Sequence, residues 1–193
     1  MKKHKAAKPL RGKVNWSILL HDIRSVQNVA SIFRLSECFG VDTIYLSGVT
    51  PNYLDRFGRV REDFVKISLG TEKLIKIDTK LQTESQEESA ANLVKTLQFI
   101  RQFRKDGGVV VGLEQDIYSV DYKKIKLEKV LNTKTGKKES KKYLVIPGRE
   151  VEGLEGKILK ECDVVAEIPQ YGEKESLNIF SACSILISRL FDR

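Results

Sequence analysis

Short solid apolar runs alternate along this chain with stretches whose apolar residues recur every three to four positions. Residues 14–20, VNWSILL, form the first run and predict a strand that ends at the polar HDIRS. Val26, Val29, Ala30, Ile32, Phe33, Leu35 and Cys38 then keep helical spacing up to Gly40, a good helix stop, and Thr43 to Leu46 predicts a second strand. A loop with Pro51, Arg56, Gly58, Arg59 and Arg61 follows. The next helix is predicted from about Gln86 to Arg104, with Ala90, Leu93, Val94, Leu97, Ile100 and Phe103 facing inward and Gly107 and Gly108 ending it. Val109 to Leu113 and Tyr143 to Ile146 read as strands, with an excursion from Tyr122 to Lys142 between them. After the turn PGREVEGLEG comes a short helix over Lys157 to Glu161. Val164, Val165, Ala166 and Ile168 make a last short strand, stopped by Pro169, and Gly172 permits a turn before Ser176, which stands where a helix would begin. From Leu177 onward Ile179, Phe180, Cys183, Ile185, Leu186, Ile187 and Leu190 are apolar all round, so this helix is expected to be buried on more than one face.

Strands alternating with helices imply an α/β fold, a mainly parallel sheet with helices on both faces. At 193 residues and 41% hydrophobic content the chain suits one well-cored domain over residues 14–193. Residues 1–13 are expected to form a disordered basic tail. Residues 132–142, NTKTGKKESKK, read as a loop or hairpin tip within a lysine-rich insertion at about 123–142.

Charge placement adds a partner. The formal net charge is +8, yet residues 1–13 carry +6 and residues 123–142 carry +7, leaving the remaining body at −5. Two concentrated basic segments suit a polyanion such as RNA, although a solvated tail and a solubilising loop would give the same count. Three cysteines, Cys38, Cys162 and Cys183, sit unpaired among apolar residues, as reduced cytoplasmic thiols do. With two histidines and no CxxC, no metal site is expected. The apolar run from Trp16 to Leu20 is too short for a signal peptide core or a membrane span, so no membrane association is expected.

Three segments put glycine and polar groups at strand ends. In DIRSVQNVASIFRLSECFG, Ser25 is a plausible N-cap, and Asn28 and Arg34 stand six residues apart, about 600° of helical rotation, which puts them more than about 100° apart. They share a site only if Asn28 lies at an irregular helix entrance. In LVIPGREVEGL, Gly148 and Gly153 let the backbone approach a ligand and Glu150 can order the loop; no Gly-Lys-Ser/Thr follows, which disfavours a triphosphate site. In IPQYGEKESLN, a serine hydroxyl next to unsatisfied helix amides suits an anion as well as a cap, and Asn178 offers both donors and an acceptor.

Their order and spacing, Asn28-(x5)-Arg34 with SIFR and FGVDTIYL, then Gly148-x-Glu150-x-x-Gly153-Leu154, then Ile168-Pro169-x-x-Gly172-(x3)-Ser176-Leu177-Asn178, resemble the three motifs of the SpoU/TrmH family of RNA 2′-O-ribose methyltransferases. The resemblance covers roughly residues 18–190. It implies a SPOUT-like fold with a deep C-terminal trefoil knot, which ordinary chain topology would not suggest, and a homodimer. It further implies S-adenosylmethionine as cofactor, held around Ile146, Gly148, Gly153, Ile168, Gly172 and Leu177. The implied reaction is methyl transfer to a ribose 2′-hydroxyl of tRNA or rRNA. Arg34 matches the family's catalytic arginine, either deprotonated by an unusual site or acting as a fixed cation beside the developing alkoxide. Asn28 would position Arg34 or the ribose, Glu150 would order the cofactor loop, Ser176 would take an RNA phosphate, and Asn178 would fix the loop or the subunit contact. Ala30, Arg149, Gln170 and Phe180 depart from the usual family pattern. A catalytically silent RNA-binding protein of the same fold, such as a ribosome-assembly factor, is the alternative.

Overall fold

The computed structural model describes residues 15–125, 129–131, 138–174 and 176–191. The basic tail expected at 1–13 and the insertion tip at 132–137 lie outside these residues.

Seven strands make one sheet: β1 (Asn15–His21), β2 (Thr43–Gly48), β3 (Lys76–Gln82), β4 (Val109–Leu113), β5 (Val120–Asp121), β8 (Lys142–Pro147) and β9 (Val164–Glu167). The short strands β6 (Lys129–Leu131) and β7 (Lys138–Ser140) pair separately as an antiparallel hairpin within the lysine-rich insertion. The sheet order is β3-β2-β1-β8-β4-β9-β5, and every neighbouring pair is parallel.

Alternate side chains of the central strands serve two cores, as the two-residue strand period requires. Trp16, Ile18 and Leu20 of β1, Val111 of β4 and Val145 of β8 join one core with α1 (Val26–Cys38), α2 (Glu62–Ser68) and α5 (Ile179–Phe191). Leu19, Val110, Leu144 and Ile146 join the other with α3 (Gln86–Lys105) and α4 (Gly156–Leu159). This is the expected sheet with helices on both faces.

Local chemistry sets the helix boundaries. Ser25 caps α1 by accepting from the Asn28 amide at 3.2 Å, and Gly40 follows its end at φ 65°. Ser85 caps α3 through the Glu88 amide at 3.2 Å.

Several elements differ from expectation. The stretch after β2 was expected to be loop, yet it holds α2 and β3. Seven residues are too few to display a helical period, and β3 is an edge strand whose Lys76, Lys80 and Asp78 dilute its alternation. Val94 is exposed rather than inward, because Asn92, Leu93, Thr96, Leu97 and Ile100 form the buried stripe of α3; the Ala90 side chain lies outside the described set. The helix α4 is a single turn starting at Gly156. The last helix begins at Ile179, and its Phe180, Ala182 and Ile185 are only half-buried in the single chain. Among the described residues no helix is long and apolar enough to cross a membrane.

Candidate active site

Because the strands are parallel, their C-terminal ends share one edge of the sheet. Leu113 stands opposite Pro147 on one side and Ala166 on the other, so β4, β8 and β9 end at one level. The segments leaving them, with the approach to α5, enclose a cavity of ≈ 280 Å³. Leu113, Ala166, Ile168, Leu177, Ile179 and Ala182 supply its apolar wall. Glu114, Glu150 and Glu167 also line it against a single arginine, Arg149, so the cavity favours a ligand carrying positive charge.

Glu114 orders the floor. Its Oε2 accepts the Leu154 amide at 2.8 Å and its Oε1 accepts the Gln115 amide at 2.9 Å. The carboxylate fills the space beside Gly148 and Gly153, where any Cβ would collide with it; Gly153 also holds φ 67°. A side chain at either glycine would have to displace this carboxylate from the two amides it accepts, so a neighbouring acid as well as an approaching ligand favours glycine there. Sequence reasoning missed Glu114, although an acid directly after the buried run VVVGL was the available signal.

The three motifs meet through a directional hydrogen-bond relay. Asn178 caps α5, its Oδ1 accepting the Phe180 amide at 2.9 Å and the Ser181 amide at 3.4 Å. That fixes its amide orientation, and Asn178 Nδ2 donates to Asn28 Oδ1 at 2.9 Å. Asn28 Nδ2 in turn donates to Glu150 Oε1 at 3.0 Å. A carboxylate can only accept and the cap oxygen can only accept, so both ends dictate the same direction.

Of the residues singled out from sequence, Gly148, Glu150, Ile168, Ser176, Leu177 and Asn178 line the cavity. Asn28 touches it through Glu150 and Asn178. Gly153 lies behind the floor, Ile146 is buried in the second core, and Gly172 is exposed with open space around it. Ser176 is exposed and is not the cap of α5, which is Asn178 two residues on. Arg34 is exposed and is not among the lining residues; Asn28 sits in regular helix, so the two point to different faces. Gln170 lines the cavity and donates to the Ile168 carbonyl at 2.9 Å, whereas Phe180 turns into the first core.

A parallel sheet whose last strands and final helix enclose a small, partly apolar, acidic cavity defines a ligand-binding α/β domain. The model of the SpoU rRNA methylase family matches residues 15–188, and the chain belongs to that family. It is 33% identical over 89 residues to a tRNA (guanosine(18)-2′-O)-methyltransferase of Saccharomyces cerevisiae, covering 46% of this chain and 5% of that protein. The chain thus spans only a small part of that relative. An AdoMet-bound rRNA methyltransferase from Sinorhizobium meliloti superposes with a TM-score of 0.69 at 25% identity, over 93% of this chain and 56% of the other. The SpoU methyltransferase AviRb from Streptomyces viridochromogenes, solved with AdoMet, shares the fold with a TM-score of 0.66 at 18% identity, over 93% and 57%.

Proposed function

We propose that this chain is an S-adenosylmethionine-dependent methyltransferase that modifies a ribose 2′-hydroxyl of tRNA or rRNA. The observation that carries this reading is the convergence of three motifs, far apart in sequence, on one acidic and partly apolar cavity joined by the Asn178–Asn28–Glu150 relay. When bound, S-adenosylmethionine supplies a methyl group already activated on a sulfonium. The apolar wall takes the adenine, the acidic lining favours the cation, and the backbone at Gly148, Ile168 and Leu177 fixes the orientation. Gly153 and Ile146 support these contacts from behind, and Gly172 lets the loop before Ser176 turn. The relay holds the Glu150 loop against the helix entrance. Ser176, exposed at the mouth, takes an RNA phosphate. The basic segments at 1–13 and 123–142 add attraction for RNA.

Arg34 serves as the fixed cation beside the developing alkoxide. Since one chain leaves it out of the cavity, its role belongs to a homodimer in which a second copy presents it. The half-buried apolar side of α5 and the trefoil knot of the family are parts of the same reading. The placement of Arg34 is also what favours the alternative, a catalytically silent RNA-binding member.

The test is transfer of labelled methyl from S-adenosylmethionine to tRNA and rRNA, followed by mapping of ribose methylation. Arg34→Ala and Glu150→Ala are each expected to abolish turnover. Mixed as one population, they regain roughly a quarter of wild-type activity if the arginine acts across the dimer, the statistical share of intact sites. Failure of wild-type protein to bind the methyl donor supports the silent alternative.

A further inference from the structure

The loop after β2, which carries Arg56, Gly58, Arg59 and Arg61, folds into a small hairpin. Because β2 ends at Gly48, the loop leaves the same edge of the sheet at which β4, β8 and β9 end, and β2 stands two positions from β8, about 10 Å at ordinary strand spacing. Its root is tied to the neighbouring elements: Thr50 Oγ1 accepts the Ile23 amide at 3.1 Å and Gln82 Nε2 donates to the Thr50 carbonyl at 2.7 Å. Further out, Leu54 and Val60 face each other in an antiparallel bridge. The Asp55 amide donates to the Arg59 carbonyl at 2.8 Å, and the Gly58 amide donates to the Asp55 carbonyl at 2.9 Å, with Gly58 supplying the positive φ of 75° that this turn needs. Asp55 then locks the tip, its Oδ1 accepting the Phe57 amide at 2.8 Å and the Arg59 amide at 2.9 Å while its Oδ2 accepts Arg59 Nε at 2.8 Å.

The ordered tip holds out an aromatic ring. Phe57 is 65% exposed and joins neither core. A single exposed apolar side chain is ordinary, but its setting here is not. Arg56 and Arg59 place their guanidinium carbons over the ring, 4.7 Å and 4.9 Å from its centre. Asp55 fixes the second of these, whereas Arg56 forms no ion pair among the described residues, so its charge is available to a phosphate. The tip therefore joins a π face to two cations on a body whose net charge outside the two basic segments is −5.

We infer that Phe57, flanked by Arg56 and Arg59, is a stacking platform for an unpaired base of the RNA substrate, with Arg56 holding the adjacent phosphate. This rests on the reading of the chain as an RNA-modifying enzyme and adds which kind of nucleotide it grips and where. An aromatic ring accepts any base by stacking, and the planar guanidinium groups beside it stack on bases as well. Paired bases are out of its reach, because the major groove of an A-form helix is too deep and narrow for side chains and its bases are covered by their neighbours. An apolar protein partner fits less well, since it would strip water from two guanidinium groups without pairing them, whereas an RNA strand offers a base to the ring and phosphates to the cations. Standing on the cavity edge of the sheet, the platform holds a nucleotide near the one whose ribose enters the cavity. The enzyme would thus favour a target in a loop or an unpaired stretch over one in a duplex.

The test is fluorescence anisotropy with the full chain and two dye-labelled probes of equal length, a mixed-sequence single-stranded RNA and its blunt duplex. Phe57→Ala is expected to weaken single-strand binding about 10-fold, within the range for one stacked base, and to change duplex binding by less than about 2-fold. Because the ring is exposed, the urea midpoint and the affinity for S-adenosylmethionine should stay as in the wild type. Phe57→Trp should retain single-strand binding, and Phe57→Leu, apolar but without a π face, should lose it. Arg56→Gln should reduce the salt slope by about 0.7, the share of one phosphate on a single strand, whereas Phe57→Ala should leave the slope unchanged. Single-strand affinity that is unchanged in Phe57→Ala, kept in full by Phe57→Leu, or lost equally on both probes overturns the platform. So does a change in sedimentation on Phe57→Ala, which would make the ring a contact between protein chains. A wild type that binds neither probe overturns the RNA reading together with the platform, while one that binds both without regard to Phe57 overturns the platform alone.

Discussion

Replacing Asn178 separates two functions of one side chain. Its Oδ1 caps α5 and its Nδ2 begins the relay through Asn28 to Glu150. Asn178→Ala removes both. Loss of the cap costs about 1 kcal/mol, and loss of an exposed amide bond costs about 0.5 kcal/mol, the low end of the range. The sum of about 1.5 kcal/mol lowers the thermal midpoint by roughly 3–6 °C for a chain of this size. Asn178→Asp behaves differently. The carboxylate keeps both cap bonds and faces the positive end of the helix, which offsets the lost amide by about 0.3–1 kcal/mol. It has no donor for Asn28 Oδ1, however, so the Asn28 amide turns over and presents its oxygen to Glu150. The floor loop loses its tie, and affinity for S-adenosylmethionine is expected to fall about 10-fold, or about 1.4 kcal/mol. Urea unfolding and calorimetric titration measure the two effects. An Asn178→Asp chain that binds as wild type, or an Asn178→Ala chain unchanged within about 0.5 kcal/mol, would refute the relay.

Gly148→Ala pushes a methyl into the Glu114 carboxylate and is expected to cost about 1–3 kcal/mol in unfolding experiments, with loss of cofactor binding. Gly172→Ala, with open space and no positive φ, should stay within about 0.5 kcal/mol of wild type. The exposed Cys38 should be alkylated in native protein at pH 8, whereas Cys183, fully buried and with its thiol pushed up to about 12, should react only after unfolding. Equal native reactivity would contradict the placement of α5. Deleting residues 1–13 removes six cations and should weaken RNA binding and flatten its salt dependence while leaving cofactor affinity unchanged.

The main strands were legible because a strand buried on both faces reads as a solid apolar run, as in SILL, VVV and LVI. Helix starts were legible where a serine caps, at Ser25, but Ser176 misled. The same local pattern contains a second capping residue, Asn178, and only the path of the chain selects between them. The strand β3 and helix α2 escaped because an edge strand tolerates lysines and seven residues show too little period. Helical geometry alone already separated Asn28 from Arg34, and the structure keeps them apart. What pattern alone could not supply was convergence: Asn28, Glu150 and Asn178 are joined across separations of 122 and 150 residues, and only the family resemblance suggested that they belong together. Glu114 shows the same difficulty, since its role is visible only once Gly148 and Gly153 are seen wrapped around it.

The central claim is that the ends of β4, β8 and β9 and the entrance of α5 form the methyl-donor pocket. Titrating ¹⁵N-labelled chain with S-adenosylmethionine tests it most directly. Saturable amide shifts are predicted to concentrate at residues 113–115, 147–150, 166–170 and 176–179, the segments that line the cavity. No saturable shift, or shifts centred on another part of the fold, would contradict it.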